Sequence, residues 1–277
     1  MNYLFFRLLP KNLVSRLAGI LTDIKAPRPL LKSLIQIYCQ LYRVNLSEIK
    51  RPLGSFKCFN DFFTRELKPD VRHVDGDENA VVSPVDGKIA EFGAIKNGLL
   101  VQAKGVLYSM TDLVGKNLAR YFRDGYFVTI YLSPADYHRI HAPVAGKVNR
   151  FSYFSGNLWP VNGIGTKYVG GLFALNERIV TPIETQKGPV VLVKVGATVV
   201  GKISVDYDRM TTNSKKPTAL DVPVMPEKNY KKGAEIGCFQ LGSTVILLFQ
   251  KDQVNPISLY QDKKIKMGQT IAHFIES

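Results

Sequence analysis

Four side chains in this 277-residue chain are of types, and in an order, that could do chemistry together: Asp86, His138, His141 and Ser243. The chain has only four histidines, and two of them share the stretch "LSPADYHRIHAPVAG", just after the apolar run "FVTIYL". A spacing of three places both side chains on one helix face or on two sides of a turn, and strand-end loops are where reactive groups are often displayed. A metal site would need further ligands, and no Cys/His cluster supplies them. Asp86, in "SPVDGK", is by type a turn residue. A second copy of that turn, "APVAGKV" at 142–148, has Ala145 in the same place, so the turn itself does not demand a carboxylate. Ser243 stands in "FQLGSTVILLF", where Gly242 and Ser243 open a β-branched and aliphatic run. Glycine at a strand entrance packs nothing and costs backbone entropy. Two readings follow: a bulge or turn, or a Gly-Ser bond that is itself reactive. Asp86, His141 and Ser243 run as acid, base and hydroxyl, a set that recurs on unrelated folds. There is no Gly-x-Ser-x-Gly elbow, which counts against an α/β-hydrolase version.

The elements that must hold these residues read as strands. From about residue 80, short β-branched runs alternate with glycine: "GYFVTIYL", "GKVNRFSYF", "ERIVTPIE", "GPVVLVKVGATVVGKISV" and "STVILLF". Their spacing predicts an α+β, mainly β fold, an antiparallel sandwich or partly closed barrel. "SMTDLVGKNLARYF" is the exception and reads as one helix. Near-repeats run through this region. "SPVDGKI" matches "APVAGKV", "VVGKI" echoes their ends, and "KKGAEIG" matches "IKMGQTIA". Strand-turn units of this kind resemble the small sandwiches that carry lipoyl lysines.

Residues 1–57 differ in character. They hold ten basic residues against two acidic ones, over half the excess behind the chain's net charge of +14. "KNLVSRLAGILTDIK" and "PLLKSLIQIYCQLYRV" place apolar residues at helical spacing, predicting two amphipathic helices. Such helices either pack on a core or lie in the headgroup layer of an anionic membrane, where each basic residue contributes ~1 kcal/mol. Residues 1–57 are read as a membrane-associating region and 58–277 as the catalytic domain. Nucleic acid is not the expected partner, because aromatic and basic residues do not interleave on a strand platform. No apolar stretch reaches the ~18 residues that would span a bilayer, and "MNYLFFRLLPKN" lacks a small-residue cleavage site. Three cysteines far apart, Cys39, Cys58 and Cys238, fit a reducing compartment.

From about residue 45 onward the chain resembles the phosphatidylserine decarboxylases. The resemblance rests on "FNDFFTREL" (59–67), "SPVDGKI" (83–89), "QAKGVLYSMTDLV" (102–114), "YLSPADYHRIHAPVAG" (131–146), "LFALNERIV" (172–180), "VGATVVGKI" (195–203) and "KKGAEIGCFQLGSTVILLF" (231–249). It implies that Ser243 attacks the Gly242 carbonyl, so that the chain cleaves itself into a β-chain of residues 1–242 and an α-chain of residues 243–277. Ser243 would become a pyruvoyl group, the covalent cofactor that takes up the substrate amine. His141 would be the base for cleavage, Asp86 would orient it, and His138 would serve the substrate as acid or carboxylate contact. The implied reaction converts phosphatidylserine to phosphatidylethanolamine and CO2 at the cytoplasmic face of the cell membrane, with no metal. The β/α heterodimer could pair further into a homodimer. Two other readings of the residues stay open. One is a serine hydrolase that uses Asp86, His141 and Ser243 without self-cleavage. The other is a non-enzymatic basic membrane-binding module. For the headgroup the reading names a region only, "SGNLWPVNG" (155–163), with the lone Trp159.

Overall fold

The fold is described from a computed structural model covering residues 11–103, 105–198, 202–213, 217–240 and 243–276, with backbone alone at 11–14, 16 and 164. The apolar opening at residues 1–10 lies outside these.

The β-branched runs form strands. In chain order these are β1 Ala80–Val82, β2 Gly87–Ala94, β3 Leu99–Ala103, β4 Val106–Ser109, β5 Tyr126–Leu132, β6 Arg139–His141, β7 Gly146–Phe154 and β8 Arg178–Ile183. There follow β9 Val190–Val195, β10 Lys202–Val205, β11 Ala219–Tyr230, β12 Glu235–Gln240, β13 Ser243–Phe249, β14 Val254–Pro256, β15 Lys264–Ile265 and β16 Thr270–Phe274. Eight of them make one antiparallel sheet in the order β11-β7-β8-β9-β13-β5-β2-β15. Its end strands do not pair with each other, so the sheet stays open and the molecule is a sandwich rather than a barrel.

Strands β8, β9 and β13 are buried along their full length, as strands covered on both faces must be. Side chains alternate between the faces. Val245, Leu247 and Phe249 of β13 point into one core, where Ile203, Ile236 and Phe239 of one small sheet and Val81 and Ile271 of another cover them. Ile246 and Leu248 point into a second core, closed by Leu113, Phe122 and Phe173 from the helical segments. Burying each such side chain contributes roughly 1.5–3 kcal/mol. The predicted helix at 109–122 is broken. It forms Met110–Val114 and Lys116–Ala119, with Gly115 between them at φ 87°, a left-handed conformation that side-chain-bearing residues rarely adopt.

The paired repeats "SPVDGKI"/"APVAGKV" and "KKGAEIG"/"IKMGQTIA" are structural repeats, while the echo "VVGKI" at 199–203 begins outside the described residues. Ser83 exchanges backbone bonds with the turn at Gly268: Gly268 N donates to Ser83 O (3.0 Å) and Ser83 N to Gln269 O (2.8 Å). Ala142 does the same with the turn at Gly233: Gly233 N to Ala142 O and Ala142 N to Ala234 O, both 2.8 Å. Both turn glycines have positive φ. The two copies also lock to each other, Val82 N donating to Pro143 O (2.9 Å) and His141 N to Pro84 O (2.8 Å). Gly87 and Gly146 start the next strands in each copy. A Cβ at either would overlap a neighbouring strand's carbonyl, that of Tyr131 or Glu184.

Both predicted amphipathic helices form, Lys11–Asp23 and Arg28–Tyr42. The second buries Leu31, Ile35 and Cys39 against Phe56 and Phe62. Its opposite stripe, Leu30, Leu34, Ile37 and Leu41, is 49–72% exposed. Tyr38 reaches from this helix to the loop after β5, donating to Pro134 O at 2.6 Å.

Candidate active site

Ser243 is the first residue of β13. Its Cα lies opposite Leu132, the last residue of β5, while Thr244 pairs with Tyr131 and with Val195 of β9. Ser243 is fully buried and its Oγ has no hydrogen-bond partner among the described residues. Gly242, named with it as the cleavage site, lies outside the described residues.

The segment from Leu132 to His138 spans the approach to this point. Leu132 faces Ser243 at one end, and at the other His138 O accepts from Phe239 N of β12 (2.9 Å). Within it, Asp136 ties a tight turn by accepting from Ser133 N (2.6 Å) and Oγ (2.7 Å). Burial raises the Asp136 carboxyl above its ordinary range despite these bonds. His138 Nδ1 lies 2.7 Å from Asp136 O. A carbonyl can only accept, so Nδ1 carries the hydrogen and Nε2 carries the lone pair. That Nε2 is buried and has no hydrogen-bond partner among the described residues. Burial, aided by the Arg65 cation, pushes the imidazole down to about 3, so it is neutral at ordinary pH. Phe63 covers the ring, with centroids 4.0 Å apart.

His141, in β6, is held differently. Its Nδ1 donates to Gly233 O at 2.8 Å, and its Nε2 accepts from the Tyr137 hydroxyl at 3.2 Å. Burial lowers its pKa, partly offset by the Gly233 bond. Asp86 does not touch it. The carboxylate is gripped by Arg72, Nε to Oδ1 at 2.9 Å and Nη2 to Oδ2 at 2.5 Å, and accepts from Met267 N at 2.9 Å. The orienting contact expected from Asp86 is therefore made by the Gly233 carbonyl. The charge of Asp86 still reaches both His141 and Tyr137. Arg72 also pairs with Glu48 at 2.7 Å, tying the segment after the second helix to this acid.

The geometry thus brings His138 and Ser243 to the two sides of one loop, and places Asp86 and His141 on the two interlocked turns. Of the other histidines, His273 sits by Asp77 at 3.6 Å on the surface. Three partners escaped the sequence reading. Tyr137 and Arg65 lie inside quoted motifs but carry no mark of their role, and Arg72, fourteen residues before Asp86, carries no local signal at all.

On the other face of β13, Thr244 lines a cavity of about 360 Å³ with Tyr131, Gln102, Phe173, Lys88 and Lys167. Val161 and Gly163, from the region suggested for the headgroup, are on its wall. Trp159 is half-buried against the adjoining core, with its backbone N bonded to Asn176 Oδ1 at 2.9 Å.

Comparison with known proteins bears on this site. The family model described as phosphatidylserine decarboxylase matches residues 59–273. A "Phosphatidylserine decarboxylase proenzyme" of Myxococcus xanthus (strain DK1622) is 39% identical over 269 residues, 96% of this chain and 95% of the relative. Proteins of the same name from Anaeromyxobacter sp. (strain K) and Brevibacillus brevis are 42% and 40% identical, over 96% and 95% of this chain and 95% and 94% of their own. With matches of this extent running through both turns and the strand that begins at Ser243, the chain belongs to the phosphatidylserine decarboxylase family.

Proposed function

We propose that this chain cleaves itself between Gly242 and Ser243 and then decarboxylates phosphatidylserine to phosphatidylethanolamine and CO2. One observation carries the reading. Two buried reactive atoms without a hydrogen-bond partner among the described residues, Ser243 Oγ and His138 Nε2, belong to the two ends of one short segment: Ser243 pairs with Leu132 at its start and His138 closes it.

For cleavage, a serine hydroxyl needs a base to become a useful nucleophile. His141 is our candidate, because its Nδ1–H on Gly233 O leaves Nε2 as the basic nitrogen. Tyr137 holds that nitrogen in the uncleaved chain and must yield it. Asp86, fixed by Arg72 and Met267 N, then favours the protonated imidazole by its charge. A glycine before the serine leaves the attacked carbonyl unobstructed.

The pyruvoyl group would be made from Ser243 itself. The site fits it: the position is dry, at the head of a strand paired on both sides, with no hydrogen bond to its Oγ to be broken. When formed, it would supply an electron-withdrawing carbonyl to which the substrate amine can be joined, giving the electron pair left by departing CO2 a place to go. His138 is suited to return the proton. Its ring is neutral in the free site, and an entering anionic headgroup would favour protonation of Nε2. Cleavage would leave the α-chain in place, because β13 lies between β5 and β9 of the β-chain with all seven residues buried. Such a β/α pair could form a homodimer.

The occupant proposed for the exposed stripe of the second helix is an anionic bilayer at the cytoplasmic face. Leu17, Ile20 and Leu21 of the first helix, and Ile24 just after it, are exposed as well. No helix among the described residues is long and apolar enough to cross a membrane. Replacing Leu34 and Leu41 together by Gln should weaken binding to phosphatidylglycerol-containing vesicles at least about tenfold, since each buried leucine contributes ~1.5–3 kcal/mol. Unchanged co-sedimentation would refute this docking face.

The central test is intact mass with borohydride trapping in the presence of phosphatidylserine. Two chains and a trapped adduct on the α-chain are expected. A single full-length chain whose activity ignores carbonyl reagents would leave the serine hydrolase.

A further inference from the structure

Arg65, in the "FFTREL" segment, is only 4% exposed yet makes no ion pair among the described residues. A buried guanidinium without a carboxylate is costly unless other groups satisfy it. Its partners here are carbonyls: Nη2 donates to Ala135 O at 2.8 Å and Asp136 O at 3.1 Å, and Nη1 to Phe63 O at 3.5 Å. Nε has no partner, and the plane lies over the Phe62 ring at 5.2 Å. A brace for the loop alone would not need a charge, and neutral donors would hold two carbonyls more cheaply.

The Asp136 carbonyl is where the two roles meet, because its oxygen accepts from both Arg65 Nη2 and His138 Nδ1. With both lone pairs used, the carbonyl is fixed, and so are the imidazole's tautomer and the direction of its Nε2. We infer that Arg65 is a positioning residue for His138. It locks the carbonyl that holds Nδ1–H, and its charge adds to the effect of burial in keeping Nε2 free of a proton until an anionic substrate enters. This rests on the proposed role of His138 in the decarboxylation.

The charged and titratable groups that act on the ring, on Arg65 or on Asp136 come from four elements. They are Arg65 after the Phe59–Phe63 helix, Asp136 in the ring's own loop, Tyr38 and Cys39 on the second helix, and Asp86 in the first turn copy. Among them only Arg65 lowers the His138 pKa by its charge, and the Asp136 bond raises it.

The test has two arms. The first follows the His138 ring by NMR across pH in the full-length Ser243→Ala precursor, with and without Arg65→Met. Loss of the cation should raise the titration midpoint by about one unit; an unmoved midpoint would overturn the proposal. The second arm uses Arg65→Lys, which keeps the charge but loses the planar fork. After processing, its kcat should fall about tenfold with KM little changed, and the acid limb of its pH profile should stay in place. A brace with no further role would lower the melting temperature and leave kcat per processed molecule and the His138 titration as they were, which would also overturn the proposal. Turnover that survives His138→Ala unchanged would remove the proton-carrier role from His138, and with it the function assigned to Arg65, whatever the titration gave.

Discussion

The two turn copies, 83–89 and 142–148, share a backbone and differ in what they carry. Each exchanges the same pair of bonds with its Lys-x-Gly partner turn, accepting one and donating one, and the residue just before each copy donates one bond to the other. Superimposing the two hydrogen-bond patterns sets Asp86 against Ala145 and His141 against Val82. Each copy thus contributes one reactive side chain where the other has a small or apolar one. Their surroundings differ too, since Asp86 is buried beneath Arg72 while Ala145 is exposed. A doubled scaffold supplies two rigid, abutting positions, and single side-chain choices at those positions make one site from them.

The comparison can be broken most severely at its target. Ser243→Ala should leave a single full-length mass and no CO2 release, and any cleaved product would end the assignment. Making the first copy like the second, Asp86→Ala, should slow self-cleavage by a hundredfold or more, in the range of roughly 10²–10⁴ typical of acid–base groups. The reverse change, Ala145→Asp, should leave cleavage intact and stability within about 0.5 kcal/mol, as for an exposed site. Equal effects from the two would show that the turns are interchangeable and Asp86 merely structural. Time-resolved gel analysis of a freshly translated precursor measures both.

Arg72→Met tests the cover over Asp86. It leaves a buried carboxylate without its cation and should cost about 3–5 kcal/mol in denaturant unfolding. A loss below 1 kcal/mol would mean that water or Met267 N suffices.

The smallest effect concerns pH. His138 is pushed down to about 3 and His141 is also lowered by burial, so both take up protons less readily in the fold than unfolded histidines, which titrate near ~6.5. The unfolded chain therefore binds more protons as pH drops below ~6.5, and stability falls, by about 1.4 kcal/mol per pH unit for His138 down to about 3 and in the same direction for His141. His141→Val, which copies Val82, should flatten part of that slope in urea titrations at pH 7 and 5. A slope identical to that of the unsubstituted chain would show that His141 titrates alike in the folded and unfolded chain.

Much of this was legible in the residues. The glycine-bounded β-branched runs became strands because their side chains fit a surface buried on both faces, and the turn repeats became matching turns because Gly233 and Gly268 permit positive φ. The single helix expected over 109–122 did not form. A glycine inside a helical pattern costs only ~1 kcal/mol, so the pattern reads through Gly115, whereas the folded chain turns there beneath the Phe154 ring.

By itself the sequence determined which groups could react and the strand that begins with Ser243, since residue type and local periodicity are properties of neighbours in the chain. Only the tertiary structure decided what those groups face. Arg72 rather than His141 holds Asp86, Gly233 O sets the tautomer of His141, and Arg65 shares a carbonyl with His138. These bonds join residues 14 to 92 positions apart. Burial makes them matter, and a hydrogen bond at that separation leaves no trace in the local order of residues.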